Sequence, residues 1–111
     1  MNKFFLNSAK PTEIVDINME VSELYIEWAL FNREIDGTLT HILPADAGAV
    51  SLSIEKEIAK MGVYEEFDGS PYLVSTDTKV PPTRIPGGKY KFTAVSLGAT
   101  QELVIAVYTR Y

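Results

Sequence analysis

Cysteine is absent from this chain of 111 residues. Without thiols the chain can form no disulfide framework, no thiolate nucleophile and no cysteine-based metal site, and it suits a reducing cytoplasm. Histidine is almost absent as well, because His41 is the only one. This excludes zinc motifs built on a histidine pair, and any Ser-His-Asp triad would have to use His41. His41 lies mid-strand between Leu39 and Leu43, which favours a partly buried structural histidine over a general base.

Long apolar runs and basic stripes are also missing. No segment approaches the roughly 20 apolar residues of a membrane span, and the N-terminal apolar triplet is too short for a signal peptide. The net charge is −5, so we expect neither nucleic acid nor a membrane as partner. Residues 13–57 hold ten acidic side chains against two basic ones, whereas residues 86–111 have a balance of +2. This asymmetry indicates either a solvated acidic surface or a means of steering association between copies or partners.

Residues that could carry chemistry form no recognisable motif. The chain has no Gly-x-Ser-x-Gly elbow and no Gly-x-x-x-x-Gly-Lys phosphate loop. Acidic residues near Gly69 could bind calcium, but their spacing does not match an EF-hand loop, and nothing predicts a cleft around the carboxylate pairs. We therefore expect a protein that is not an enzyme, without catalytic residues, metal or cofactor. The acidic groups considered are Glu65, Glu66 and Asp68 for calcium, and Glu55 with Glu57 or Asp16 with Glu20 for a glycosidase.

Apolar and polar residues alternate over most of the chain, which is the period of a β-strand with one packed face. The phase of this alternation changes after Val21, so we predict a bulge or a crossing between sheets at residues 22–23. Trp28 shares its face with three aliphatic residues and is predicted to be a core residue. Residues 50–61 also fit a helical face, so a longer helix is the alternative to the strand at 49–56. After that strand we expect a turn, or one short helical turn near 55–61. The other predicted segments are a turn at 32–37, strands at 38–43, 49–56, 62–67 and 72–76, a loop at 44–48, and an extended connection at 77–88.

The last 27 residues read as two strands joined by a turn at Gly98. In the first strand Tyr90, Phe92 and Ala94 alternate with polar residues, which predicts one packed and one wet face. The second strand is apolar on both faces, which is typical of a central strand covered above and below. The whole pattern predicts an all-β, single-domain antiparallel sandwich over residues 1–111, of jelly-roll or immunoglobulin-like type. It would have about seven or eight strands, and residues 1–11 would form an N-terminal arm.

Aromatic residues at strand ends and near the termini are the predicted contacts with other chains, because tyrosine brings large, stiff area with a polar tip to interfaces. The interface candidates are Phe4, Phe5, Tyr72, Tyr108, Arg110 and Tyr111.

The C-terminal half resembles the end of small all-β accessory proteins of tailed-bacteriophage virions. The resemblance is carried by the Pro-Gly-Gly-Lys-Tyr-Lys-Phe entry at 86–92, the turn at Gly98 and the valine-rich strand at 103–108, and by the strand pair at 50–55 and 62–67. It implies a structural role in a virion assembled in the host cytoplasm, as a capsid decoration or a neck or tail accessory. The implied partners are other virion subunits and further copies of the chain, and the resemblance implies no catalytic residues.

Two other functions remain open from the residues. A carbohydrate-binding sandwich would use Tyr25, Tyr64 or Tyr72 as a stacking platform and needs a coplanar row of exposed rings. A small acidic inhibitor that mimics DNA would need the acidic residues between Glu13 and Glu57 spaced along one surface.

Overall fold

A computed structural model describes residues 2–17, 23–58, 60–67, 69–83 and 88–110. Within these residues the chain forms ten strands and one short 3-10 helix at Pro44–Asp46. The strands are β1 (Asn2–Asn7), β2 (Thr12–Ile17), β3 (Glu23–Arg33), β4 (Leu39–Ile42), β5 (Ser51–Ile58), β6 (Val63–Glu66), β7 (Tyr72–Leu73), β8 (Lys79–Thr83), β9 (Gly88–Val95) and β10 (Gln101–Arg110).

The strands form two antiparallel sheets that pack on each other. Sheet A has the order β1-β10-β3-β4, with β8 also paired to β3. Sheet B has the order β2-β9-β5-β6, with β7 also paired to β5. The predicted antiparallel β-sandwich is therefore confirmed, although the described strands number ten and not seven or eight. One of the additional strands is β8, which falls in the predicted extended connection. Its two prolines are compatible with this position because β8 pairs on one side only.

The N-terminal arm was predicted wrongly, because most of it is a strand of sheet A. Residues 2–7 pair with β10 from Asn2↔Val107 to Asn7↔Glu102. Leu6 is fully buried, and the ring of Phe4 packs edge-on against Phe92 at 5.1 Å between centroids. Phe4, Phe5 and Leu6 are consecutive apolar residues and give no alternation that predicts a strand. The free energy of this strand comes from contacts with residues about 100 positions away.

The last two strands lie in different sheets, although a turn joins them. β9 pairs with β2 and β5 in sheet B, whereas β10 pairs with β1 and β3 in sheet A. The turn at Gly98 therefore crosses the end of the sandwich, and it is held by Gly98 N–H donating to the side-chain Oε1 of Gln101 at 2.8 Å. Both strands are central in their sheets, as predicted for β10. The prediction of one packed and one wet face for β9 is confirmed.

The segment 55–61 contains no helical turn among its described residues. β5 continues to Ile58, because β6 pairs with its second half and β9 with most of its length. The chain then reverses through Lys60–Gly62, where Gly62 has the positive φ of +74° that a tight turn requires. The one 3-10 helix lies instead in the predicted loop 44–48.

The core lies between the two sheets and includes aromatic as well as aliphatic side chains. Trp28 is buried, as predicted, and its indole Nε1–H donates to the carbonyl oxygen of Asp77 at 2.8 Å. The predicted phase change at 22–23 falls partly outside the described residues, but β2 and β3 lie in different sheets. The buried apolar residues are Leu6, Ile26, Trp28, Leu30, Ala47, Val50, Leu52, Ile54, Tyr72, Val74, Val80, Tyr90, Phe92, Ala94, Leu103, Ile105 and Val107.

Candidate functional site

The two sheets present different chemistry on their outward faces. The central strands of sheet B, β5 and β9, point serine, threonine, glutamate and lysine side chains to solvent. Their exposed aliphatic neighbours, such as Val95 and Leu73, flank Ser51 in the register. The central strands of sheet A, β3 and β10, point six aromatic or small apolar side chains outward, with Glu27 among them. We call this surface the apolar face; it is formed by Phe5, Tyr25, Ala29, Phe31, Val104, Ala106 and Tyr108.

The register of sheet A brings these residues into adjacent rows. Phe5, Val104 and Ala29 lie side by side across β1, β10 and β3. Two rows further along, the rings of Tyr25 and Tyr108 stack at 5.2 Å between centroids, with 9° between their planes. Every described strand belongs to one of the two sheets, so none of them forms a third layer above the apolar face. The cover that was predicted for both sides of β10 is therefore present on the core side only.

A shallow depression of about 230 Å³ lies in the middle of the apolar face. It exists because the outward side chains there, Ala29, Val104 and Ala106, are small while their neighbours are aromatic. Its remaining wall is formed by Phe31, Glu27 and the buried Trp28. The depression is thus apolar at its base, and its polar groups lie at the rim.

Charged side chains lie at one end of the apolar face and in one of its inner rows. At one end Glu102 is only 8% exposed, and it accepts hydrogen bonds from Arg33 Nη1 at 2.8 Å and Asn7 Nδ2 at 3.3 Å. Between the Val104 row and the Tyr25–Tyr108 pair, a second charged group crosses the face: Lys3, Glu27 and Lys79 lie in the same row as Ala106. No ion pair within 4 Å joins any two of these three described side chains.

The predicted interface residues divide into two groups. Phe5, which is 40% exposed, and the half-buried Tyr108 both lie on the apolar face. Phe4 points inward against the core, and Tyr72 is only 6% exposed, with its ring 5.2 Å from that of Trp28. Tyr72 as a contact with another chain is therefore corrected to a core residue. Arg110 belongs to β10, but its side chain, like the whole of Tyr111, lies outside the described residues.

Two residues of this surface on β3, Ala29 and Phe31, were missed in the sequence, and Tyr25 was considered only for sugar stacking. The signal was present, because Tyr25, Ala29 and Phe31 alternate along β3 with its inward apolar residues. The alternation was interpreted from the inward face of the strand, which contains Trp28, and the outward residues were not examined as one surface.

The residues considered for chemistry do not converge. Within the described chain, no three His, Cys, Asp or Glu side chains are grouped so that they could hold a metal ion. His41 is exposed on β4, with its ring 5.4 Å from that of Phe31, so it is not the partly buried histidine that was predicted. Glu65 and Glu66 lie exposed on β6, whereas Asp68 and Glu20 are outside the described residues.

The carboxyl groups with a lowered pKa are parts of a turn. In the β3–β4 connection, a hydrogen bond from the Asn32 amide lowers the pKa of Glu34, and hydrogen bonds from Thr38 lower that of Asp36. Each of these carboxylates accepts hydrogen bonds that hold the reversal of the chain, as Asx turns do. Their pKa shifts are explained by local structure.

The residues of the two alternative functions are scattered. Of the proposed sugar-stacking tyrosines, Tyr25 is stacked on Tyr108, Tyr64 has the Lys91 Nζ 4.7 Å from its ring centroid, and Tyr72 is buried. They form no coplanar row. The described acidic residues between 13 and 57 lie on strands of both sheets and in the connections between them, so they do not line a single surface.

No helix in the described part of the chain is long and apolar enough to cross a membrane. Comparison with protein-family models, with curated proteins and with solved structures finds no match to this chain.

Proposed function

We propose that this chain is a non-enzymatic assembly subunit that binds other protein chains through the apolar face of sheet A. The observation that carries the proposal is the contrast between the outward faces of the two sheets. An antiparallel sheet exposed to water normally carries polar residues on its outward face, and on the central strands of sheet B only Val95 departs from this. The outward face of sheet A instead carries four aromatic rings, one of them Phe5 on the edge strand, and a depression lined by small residues. This is the composition of a protein contact surface.

The size of the apolar face indicates the strength of the contact. Three neighbouring strands about 4.8 Å apart, over about 20 Å of strand length, outline roughly 300 Å². Covering this area would stabilise a complex by about 8 kcal/mol at 25 cal/mol per Å². Association itself costs about 4–15 kcal/mol. A single contact of this kind is therefore weak, and it becomes durable where many copies bind together or where further surface is buried.

The setting that we propose for this subunit is the virion of a tailed bacteriophage, as a capsid decoration or a neck or tail accessory present in many copies. The resemblance of residues 49–111 to accessory proteins of such virions supports this setting. Repeated subunits on a particle also provide the multiple contacts that a weak individual interface needs.

Co-sedimentation with purified particles of the encoding phage tests the proposal. The variant Val104→Lys places a charge in the apolar face, and Thr93→Lys is the matched control. Both residues are half-buried and point outward from a central strand, Val104 in sheet A and Thr93 in sheet B. We expect the wild-type chain and Thr93→Lys to sediment with the particles and to be detected there by mass spectrometry, whereas Val104→Lys stays in the supernatant.

Two results would contradict the proposal. If the wild-type chain is absent from the particles, the virion setting is wrong. If both lysine variants bind particles equally well while circular dichroism shows both folded, the apolar face is not the binding surface.

A further inference from the structure

The tip of the β5–β6 hairpin carries a second group of exposed apolar side chains. Ile58, Met61 and Val63 are 37%, 70% and 54% exposed. Ile58 and Val63 are paired across the hairpin, and Ile58 has the same parity as the buried Ile54, so both point to the core side of sheet B. Their exposure shows that the core ends before them. We call these three residues the hairpin tip.

The hairpin tip is held in a defined conformation. The carboxylate Oε2 of Glu57 accepts a hydrogen bond from the backbone N–H of Gly62 at 3.1 Å, and Met61 N–H donates to the carbonyl oxygen of Ile58 at 2.9 Å. Turns are usually polar because they are solvated. Here a hydrogen-bonded turn presents methionine, a side chain that adapts to irregular apolar surfaces.

We infer that the hairpin tip of one copy docks into the depression on the apolar face of a second copy, in a head-to-tail contact. The inference rests on the proposed function, since it names a second copy of the chain as one occupant of the same face. The fit is mainly apolar against apolar: Met61 enters above Ala29 and Ala106, where the small side chains leave space, while Glu27 lines one side of the depression. The face of sheet A points away from sheet B, so the hairpin of a molecule cannot reach its own depression.

Charge favours this arrangement over a symmetric contact between two apolar faces. Residues 51–66 carry four glutamates and two lysines, a balance of −2. The row at the edge of the depression carries Lys3 and Lys79 against Glu27, a balance of +1. Docking the hairpin brings opposite signs together, which fixes register and orientation. Two apolar faces packed with this row against itself would bring Lys3 and Lys79 of one copy close to those of the other.

A contact between two different surfaces does not close on itself. Each copy offers one hairpin tip and one depression, so repetition gives a ring or a filament. Such a repeated contact would arrange many identical copies side by side in an assembly. The contact area of one hairpin tip is well below the roughly 800 Å² per partner of a standard interface, so we expect association only at micromolar to millimolar concentrations.

Disulfide trapping tests the contact directly, because the chain has no cysteine of its own. The double variant Met61→Cys with Ala106→Cys should give a ladder of covalent oligomers after mild oxidation on a non-reducing gel. Each single variant can give at most dimers. The control combines Met61→Cys with Thr93→Cys, on the outward face of sheet B, and should give no ladder. Equal ladders in the two double variants, or none in either, would overturn the inference.

Complementation of two variants gives a second test in solution. At about 1 mM, we expect Met61→Glu alone and Val104→Lys alone each to self-associate at least tenfold more weakly than wild type by sedimentation equilibrium. Their equimolar mixture should form a dimer of twice the 12.3 kDa chain mass, because the hairpin of Val104→Lys and the face of Met61→Glu are both intact. A symmetric face-to-face dimer predicts instead that Met61→Glu has no effect and that mixing restores nothing.

The outcomes separate this inference from the proposed function. A wild-type chain that stays monomeric at about 1 mM overturns the head-to-tail contact, even if it binds particles through the apolar face. Conversely, self-association without binding to particles contradicts the virion setting and leaves the head-to-tail contact supported.

Discussion

Adjacent residues of β10 should differ sharply in their contribution to stability, since they point to opposite sides of sheet A. Ile105 points into the core and is fully buried, between its register neighbours Phe4 and Trp28. Val104 points out into the apolar face and is half-buried. We therefore compare Ile105→Ala with Val104→Ala, which remove apolar carbons from the same central strand.

The expected magnitudes follow from burial. Ile105→Ala removes three carbons from the core, at about 0.8 kcal/mol each, and leaves a cavity that adds about 1 kcal/mol, giving a total of about 3.5 kcal/mol. Val104→Ala removes two carbons that are about half exposed, which costs about 0.8 kcal/mol. At roughly 4 °C per kcal/mol for a domain of this size, the melting temperature falls by about 14 °C for Ile105→Ala and about 3 °C for Val104→Ala.

Urea unfolding followed by far-ultraviolet circular dichroism measures both losses in the isolated chain. The slope of the unfolding free energy against urea should be unchanged in both variants, so that the shift in midpoint reports stability. Equal losses in the two variants would refute the reasoning, because they would mean that the apolar face is covered as completely as the core. In an assembly the Val104→Ala loss should increase, since a partner then buries that face.

Three further changes test other parts of the structure. Burial raises the pKa of Tyr90 to about 12, while the unfolded group titrates near 10. Stability should therefore fall as pH rises from 10 to 12, by up to roughly 3 kcal/mol. Tyr90→Phe should remove this dependence in alkaline urea titrations, and identical pH profiles would contradict it. Arg33→Met leaves the Glu102 carboxylate buried without its cation and should lower the free energy of unfolding by about 1–3 kcal/mol at pH 7. The double variant with Glu102→Gln should recover part of this loss. No recovery would argue against the ion pair. Gly69 has a φ of +85°, and an added Cβ would lie 2.9 Å from the Tyr72 hydroxyl oxygen. Gly69→Ala should therefore lower the melting temperature by at least 4 °C, which corresponds to about 1 kcal/mol or more of strain. An unchanged melting temperature would refute the close approach.

The alternation of apolar and polar residues was sufficient to predict which side chains share a face. It predicted that Tyr90, Phe92 and Ala94 on β9 are buried and that Lys89 is exposed. It also predicted the core position of Trp28. The two apolar faces of β10 could also be predicted, because the parity of side chains along a strand is a local property of extended backbone. Local chemistry likewise located the turn at Asp36-Gly37, which connects β3 to β4.

The tertiary structure alone decided which sheet each strand joins and what the second face of β10 meets. Backbone hydrogen bonds are the same for every residue type, so pairing partners are chosen by packing between distant segments, and no local pattern encodes them. For this reason residues 2–7 of the expected arm form β1. For the same reason β9 and β10 lie in opposite sheets, and Tyr72 is buried against Trp28. The apolar face is itself a product of this pairing, since it joins β1, β3 and β10 from both ends of the chain.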